Sequence, residues 1–341
     1  MQDNNFDKII SDALLTNKKN LSQNIKPIIN QISKVIKDNK KIIKQANEID
    51  KKNNNGFLMD FNVIDNILEN LSKEDILYGK VVLQQKDDDK KIIYGKEILD
   101  YGNIVVINDG NPYVTIEMAL RNIMAGNTTI FSNKGYMYGT NRLLIQMIQA
   151  VLEQFNISKS LIQLAITEDF TEILSNYANI DLVVCIGDHD LQNQILSKSK
   201  NKTIISGYEN FDLYIDDITH ADFINKIMNL GLNIQMYVND NIKSNYPDAI
   251  KVNDIDEAIA QINYIGNRYA ASIFTTSEAN ASEFIKKVKS KIVTVNTSPT
   301  IERMIDINQA DLVNEKTIIY PMSYKFDKTT QKIYIKEKET E

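Results

Sequence analysis

Hydrophobic and polar positions change their period along this chain, and the changes mark its parts. Ile25, Ile28, Ile29, Ile32, Val35, Ile36, Ile42 and Ile43 recur at helical spacing, the stripe of an amphipathic helix. Residues 6 to 50 read as helical on this pattern, and the polar run 51–55 reads as a linker before Gly56. From Gly102 short apolar runs alternate with helical stretches. Strands are predicted over 104–107, 128–131, 161–166, 182–186 and 203–205. Helices are predicted over 115–124 and 139–155, the second carrying Leu143, Leu144, Met147, Ile148, Val151 and Leu152 on one face. The alternation resumes over 213–296, with strands at 213–215, 235–238, 249–252, 272–274 and 292–295 and helices at 221–230, 254–265 and 277–287. Asp254 and Glu257 stand at capping-box spacing at the start of one of these helices. Such alternation predicts parallel sheets covered on both faces, an α/β fold with a Rossmann-like domain and a smaller second α/β domain.

Two segments do not fit the alternation. Residues 78–83 and 91–94 are expected to pair as a hairpin across a polar tip containing three consecutive aspartates. The strand-like tail runs, 317–320 and 332–335, have no obvious local sheet to join. The chain therefore divides into residues 1–212 with the hairpin 78–94, a second domain over 213–314, and a tail over 315–341.

Composition narrows the classes. Of the 341 residues, 43% are hydrophobic and 25% charged, with a net charge of −6 spread over mixed signs. That is a soluble balance with no electrostatic reason to expect nucleic acid. A single cysteine excludes an intrachain disulfide and a multi-cysteine zinc site. No apolar run approaches the roughly 18 residues that span a bilayer, so no membrane role is expected. The polar N-terminus lacks the apolar core of a signal peptide, and a cytoplasmic location is expected.

The richest stretch is 102–141, GNIVVINDGNPYVTIEMALRNIMAGNTTIFSNKGYMYGTN. Its turns follow strands, and in open α/β sheets ligands bind at the carboxyl ends of strands. A cleft lined by Asn108, Asn111, Pro112, Ser132, Lys134 and Gly187 is the expected ligand site. The Pro112-Tyr-Val-Thr115 turn, the alanine-containing helix and the Gly126-Asn127-x-x-Ile130 stop resemble the aldehyde dehydrogenase superfamily, and within it the gamma-glutamyl phosphate reductases. Further fragments agree in order: Ala46-Asn47-x-x-Asp50, Asp181 to Gly187, Leu213-Tyr-Ile-Asp216, Asp256-Glu-Ala-Ile259, Ala281-Ser-Glu-Phe284, Val295-Asn-Thr-Ser298 and Pro321-Met-Ser-Tyr-Lys-Phe326.

The resemblance implies an aldehyde dehydrogenase-like fold, an NADP or NAD cofactor, and a cysteine thiolate that attacks an aldehyde or an acyl phosphate. It also implies a homo-oligomer in which the hairpin and tail reach the neighbouring subunit. The departures are as informative. Where the resembled family carries its cysteine, after the helix following Asp216, the chain runs from Asn229 to Val252 without one, and several dozen residues are missing. Tyr113 replaces an amide that would help bind a developing oxyanion. Asp188 replaces a glycine where a pyrophosphate should lie, so weak cofactor binding at best is expected. Lys134 is left to meet a ribose or a 2′-phosphate.

Other candidates have plainer roles. Cys185 ends an apolar strand and reads as a core residue. Asp188-His189-Asp190 reads as an acidic helix start, and no metal site is expected. His220 reads as a surface or capping residue. Glu117 and Arg121, one helical turn apart, read as a surface pair, and Tyr136 and Tyr138 as packing residues. No catalytic residue is assigned. The expectation is a degenerate relative without thiol chemistry, kept for binding or assembly, with an active paralogue as one partner to consider. The alternative is an active NAD(P)-dependent oxidoreductase acting on an aldehyde or acyl phosphate.

Overall fold

The computed structural model describes residues 6–54, 56–133, 135–167, 169–187, 189–206, 211–228, 234–242, 246–265, 270–290, 292–298, 307–322, 324–327 and 332–335. Four helices open the chain: α1 (Phe6–Leu14), α2 (Leu21–Asp38), α3 (Lys40–Asn54) and α4 (Phe61–Lys73). The apolar stripe read from the sequence is the buried face of α2, through Leu21, Ile25, Ile28, Ile29, Ile32 and Ile36. Residues 51–54 are the last turn of α3 rather than a linker. A hairpin follows, β1 (Val81–Asp87) and β2 (Ile92–Asp100).

Next come β3 (Asn103–Asn108), α5 (Pro112–Met124), β4 (Thr128–Asn133), α6 (Tyr138–Gln154), β5 (Ile162–Ile166), α7 (Thr171–Ser175), β6 (Leu182–Ile186), α8 (His189–Lys198) and β7 (Thr203–Ser206). Their strands form one parallel sheet in the order β5-β4-β3-β6-β7. Ile104, Val106, Phe131, Val184 and Ile186 on one face pack with α2, α4, α5 and α6. Val105, Ile107, Ile130, Val183 and Cys185 on the other pack with α1, α7 and α8. Burial on both faces is why these strands read as unbroken Ile/Val runs.

The second unit contains β8 (Phe211–Ile215), α9 (Ala221–Met228), β9 (Ile234–Asn239), β10 (Ile250–Val252), α10 (Ile255–Ile265), β11 (Ala270–Phe274), α11 (Glu278–Lys287) and β12 (Ile292–Val295). Its parallel order, β10-β9-β8-β11-β12, repeats that of the first sheet, strand for strand. α10 and α11 cover one face, α9 the other. β13 (Val313–Pro321), β14 (Tyr324–Asp327) and β15 (Lys332–Ile335) close the chain.

Two expectations fail. The tail does find a local sheet: β13 pairs antiparallel with β2 of the same chain along its whole length, giving the order β1-β2-β13, and β15 pairs with β14. The boundary at 314 also falls too late. Ile307 and Leu312 are buried in the core of the first unit. The Gln309 side chain accepts a hydrogen bond from the Leu77 backbone and donates one to the Asp75 carbonyl at 2.9 Å. The return to the first unit is anchored by those contacts and not by the second sheet.

α5 is buried along every residue, which turns Glu117 and Arg121 from the expected surface pair into a buried one, each side chain 3% exposed. Arg121 donates to Glu117 Oε1 from Nε at 3.0 Å and Nη2 at 2.8 Å. Its Nη1 donates to the Glu74 carboxylate just beyond α4, at 3.1 and 3.2 Å. Removing one member of such a group leaves uncompensated charge in the interior. Arg121→Ala is expected to lower stability by about 3–5 kcal/mol in urea denaturation. A loss below about 1 kcal/mol, the scale of an exposed pair, would show that this group does not hold α5 in place.

Candidate nucleotide cleft

The first sheet winds from β3 through β4 to β5 in one direction and through β6 to β7 in the other. Its switch point is at the carboxyl ends of β3 and β6, where open α/β sheets bind ligands. Asn108 ends β3 and pairs with Ile186, which pairs with Ser206 at the end of β7. Ile107 pairs with Ser132, so Asn133 continues the row beside Asn108. Asn133, Asn108 and Ser206 thus share one face of the carboxyl edge.

Asn108 Oδ1 accepts from the Gly110 backbone at 2.6 Å, and Asn133 Oδ1 accepts from Gly135 at 3.0 Å. Each asparagine spends its oxygen on its own turn, and each Nδ2 is buried without a partner. The hydroxyls of Ser206 and of Ser132, on the opposite face, are likewise buried and unpartnered. A buried donor without an acceptor is costly, so four at one sheet edge mark a place for acceptor atoms. The Asn-x-Gly spacing after both strands was the sequence signal for Asn133, which the expected site omitted. Ser206 gave no such signal.

Of the expected lining residues, Asn108, Ser132 and Gly187 meet at this edge. Asn111 and Pro112 open α5 directly beyond it. There the Asn111 oxygen caps the helix by accepting from Tyr113 at 3.0 Å, and Pro112 fills a first-turn position needing no N–H. Lys134 and Asp188 lie outside the described residues. Gly187 donates to the Ser206 carbonyl at 3.1 Å.

The loops after β3 and β4 are tied together. Gly110 has φ +104°, and a Cβ there would come within 2.2 Å of the Tyr136 carbonyl oxygen. Asn141 Nδ2 donates to the Gly110 and Met137 carbonyls at 2.5 and 3.0 Å, while its Oδ1 accepts from Thr115 at 2.6 Å. Tyr113, in the place of the resembled family's amide, is buried. Its hydroxyl accepts from the Asp60 backbone at 2.5 Å, and its ring stacks on Phe57. Burial holds the phenol well above its usual range, so it is a prop and not an acid.

The Ala46-Asn47-x-x-Asp50 fragment folds as the end of α3. Asn47 Oδ1 accepts from the Met59 backbone at 2.8 Å. Asp50 reaches the N-terminus of α6: Oδ1 accepts from Gly139 N at 3.0 Å, and Oδ2 accepts from Thr140 N and Oγ1, both at 2.7 Å.

Cys185 is buried in the core on the face away from Asn108. The equivalent edge of the second sheet is self-satisfied. Asp216 accepts from Tyr214 at 3.0 Å, Thr275 at 2.5 Å and Asn280 at 2.7 Å. Asn296 exchanges two 2.9 Å hydrogen bonds with the Thr275 backbone. His220 precedes α9 with its ring 6.0 Å from that of Phe274. Among the described residues no helix is long and apolar enough to cross a membrane.

The fold is that of the aldehyde dehydrogenases. The betaine aldehyde dehydrogenase of Staphylococcus aureus, solved in complex with NAD+, superposes with a TM-score of 0.69 at 11% identity, covering 93% of this chain and 87% of the other. The gamma-glutamyl phosphate reductase of Thermotoga maritima superposes with a TM-score of 0.58 at 16% identity, covering 92% and 96%. In sequence the chain resembles gamma-glutamyl phosphate reductases. It is 22% identical to that of Oenococcus oeni over 259 residues, 60% of this chain and 62% of the relative. It is 23% identical to that of Dictyoglomus thermophilum over 277 residues, 64% and 66%. The chain thus spans about 62% of the length of the first of these relatives. No family model matches.

One buried acid belongs to neither edge. Asp212 of β8 lies on the face of Tyr214, beside Ala271 of β11, fully buried and next to the Tyr237 hydroxyl. Burial pushes the Asp212 carboxyl up to about 7, offset in part by the Tyr237 hydroxyl. Its ordinary value is 3.8, so across this window the folded chain keeps a proton that the unfolded chain releases. Stability is therefore expected to fall as pH rises from about 4 to about 7, by up to about 4 kcal/mol. Asp212→Asn should flatten that dependence, read as urea midpoints on both sides of the window. A slope unchanged in the variant would remove Asp212 as its source.

Proposed function

We propose that this chain binds a nicotinamide dinucleotide at the carboxyl edge of its first sheet without performing the thiol chemistry of the enzymes it resembles. The row of buried, unpartnered donors at Asn133, Asn108 and Ser206 carries the binding half, since phosphate and ribose oxygens supply the acceptors it lacks. When bound, such a cofactor exchanges a hydride at its nicotinamide ring. For the reaction itself the chain offers no thiolate. Its single cysteine is buried in β6, and Asn229 to Val252 has none, so no covalent intermediate forms to divide the difficult step.

The protein is then a degenerate relative kept for binding or assembly. Assembly is supported by β13, whose outer edge meets no further strand among the described residues and whose side chains are mostly exposed. A free edge of this length is a template for another strand. We place a second copy of this chain there, with an active paralogue as the other partner to test. The expected compartment is the cytoplasm.

Calorimetric titration with NAD, NADH, NADP and NADPH tests the cleft. Binding is expected in the range of roughly 0.1–1 mM. Asn108→Asp keeps the oxygen that closes the turn but replaces the free donor with an acceptor, and should weaken binding about ten-fold or more. Equal affinity in a variant with an unshifted melting temperature would take the asparagine row out of the site. Nicotinamide-coupled turnover of an aldehyde or acyl phosphate that disappears in Cys185→Ser would overturn the loss of thiol chemistry.

Light scattering tests assembly. A dimer is expected for the full chain, and Ile319→Lys on the exposed part of β13 should shift it toward monomer. A full chain that is monomeric at all accessible concentrations sinks the proposal.

A further inference from the structure

The free groups at the carboxyl edge of the first sheet share a chemical bias. Asn108 and Asn133 are fully buried, and Ser206 is 5% exposed. Both asparagine oxygens are spent on the turns of Gly110 and Gly135. What remains is two amide Nδ2 groups and the Ser206 hydroxyl. An amide NH2 can only donate. No side-chain carbonyl or carboxylate oxygen is left over at this edge among the described residues. The edge therefore calls for a ligand rich in acceptor oxygens.

Register fixes the spacing of these groups. Asn133, Asn108, Ile186 and Ser206 stand in one row across β4, β3, β6 and β7. Four neighbouring strands at their ordinary separation put the ends of that row roughly 14 Å apart. The apolar Ile186, 1% exposed, interrupts it. A row of this length suits a pyrophosphate with one ribose and is short for an extended dinucleotide. In a mononucleotide-binding half the pyrophosphate lies after the first strand and the ribose at the end of the second. Asn108 ends the first of these strands and Asn133 the second, so the two free amides stand where an adenosine diphosphate half presents its oxygens.

The nicotinamide half asks for something else. Its ring carries a carboxamide, whose NH2 needs an acceptor once it leaves water. Beyond the switch point the first sheet holds only β6 and β7, and the chain then enters β8 of the second unit. The acceptors at the carboxyl edge of the second sheet are already committed. Asp216 takes the Tyr214, Thr275 and Asn280 side chains. Asp217 takes the Thr219 backbone at 2.9 Å and the Thr276 hydroxyl at 2.8 Å. Asn296 is closed on the Thr275 backbone.

We propose that the cleft holds a dinucleotide by its adenosine diphosphate half alone and leaves the nicotinamide ring in water, so that ADP and ADP-ribose are ligands as good as NAD. The proposal rests on the dinucleotide reading of the cleft. Affinity differs between two ligands only through groups the protein touches. A site that meets nothing beyond the pyrophosphate is blind to the nicotinamide and to its oxidation state.

The test uses the full chain and needs no variant for its first arm. NAD, ADP-ribose, ADP and nicotinamide mononucleotide are titrated calorimetrically. ADP-ribose and ADP are expected to bind within about three-fold of NAD, and the mononucleotide at least about ten-fold more weakly. NADH fluorescence supplies a second readout. Emission of the bound cofactor should keep the wavelength and yield it has in water, because the ring stays solvated. In the second arm Asn133→Asp keeps the oxygen that closes the Gly135 turn and exchanges the free donor for an acceptor. It should weaken NAD, ADP-ribose and ADP by one common factor of about ten.

NAD that binds ten-fold or more tightly than ADP-ribose overturns the proposal and leaves the dinucleotide reading standing. Bound NADH with shifted or brightened emission does the same, as does a nicotinamide mononucleotide that matches NAD. An Asn133→Asp chain that melts like the wild type and binds ADP equally well takes the ribose away from β4, and the proposal goes with it. If none of the four ligands binds the wild type, the dinucleotide reading itself has failed. The ligand series thus tells the two failures apart.

Discussion

The burial of α5 is the constraint from which most of the first unit follows. A helix hidden along every residue from Pro112 to Met124 is ordinarily apolar all round, but this one carries Thr115, Glu117, Arg121 and Asn122. Each needs a partner in the interior, and together the partners reach from the helix itself to distant parts of the chain. Thr115 bonds Asn141 of α6. Arg121 gathers Glu117 and Glu74. Asn122 bonds Asn127, which in turn donates to the Leu312 carbonyl at 2.8 Å. Tyr113 meets Asp60. The helix thereby ties together the N-terminal helices, the second crossover and the returning tail. This explains why residues 307–313 belong with the first unit although the second sheet precedes them in sequence.

Against that background the unsatisfied groups gain meaning. Around α5 buried polar atoms are paired through long-range hydrogen bonds. At the carboxyl edge of the same sheet the amides of Asn108 and Asn133 and the hydroxyls of Ser132 and Ser206 are buried without partners. Unsatisfied hydroxyls also occur at Thr128 and Thr129 at the start of β4, but the carboxyl edge gathers two asparagine amides and two hydroxyls over three strands, the concentration a bound ligand would account for. The second sheet sharpens the contrast. It has the same strand order, yet Asp216, Thr275, Asn280 and Asn296 at its switch point close on one another. Two edges with one topology thus differ in whether their polar groups look inward or outward.

Most elements were legible in the sequence because their pattern is local. A strand buried on both faces must be a short apolar run, and 182–186 was read to the residue, as was the half-buried edge strand 292–295. What was not legible depends on contacts far apart in the chain. The spacing of Glu117 and Arg121 is that of any exposed ion pair, and only the packing of other segments over α5 makes it a buried one. The pairing of β13 with β2 joins residues more than two hundred positions apart, as Lys96 with Glu315 shows, and no period in either strand announces its partner. Residues 51–53 are exposed on a last helical turn, and composition cannot tell that from a linker. At the carboxyl edge, Asn108 and Ser132 stand at strand ends, a position legible in the sequence. Asn133 and Asp50 were missed because one needed the repeated Asn-x-Gly turn to be noticed and the other acts across 89 positions.

The second unit keeps a covered parallel sheet although one of its crossovers is short. Between β9 and β10 only residues 240–249 remain, with no helix among those described, where other crossovers of both sheets carry one. A parallel connection this short keeps the strands adjacent, with no covering helix among its described residues. The core does not need that element. α9, α10 and α11 already cover both faces through Ile224, Ile227, Ile259, Ile262 and Phe284. The sheet is therefore covered on both faces without a helix in that crossover. The buried Asp212 adds a cost: a carboxyl held away from solvent beside the Tyr237 hydroxyl is expensive to ionise. A domain that tolerates such a group has its fold secured by the packing of its helices.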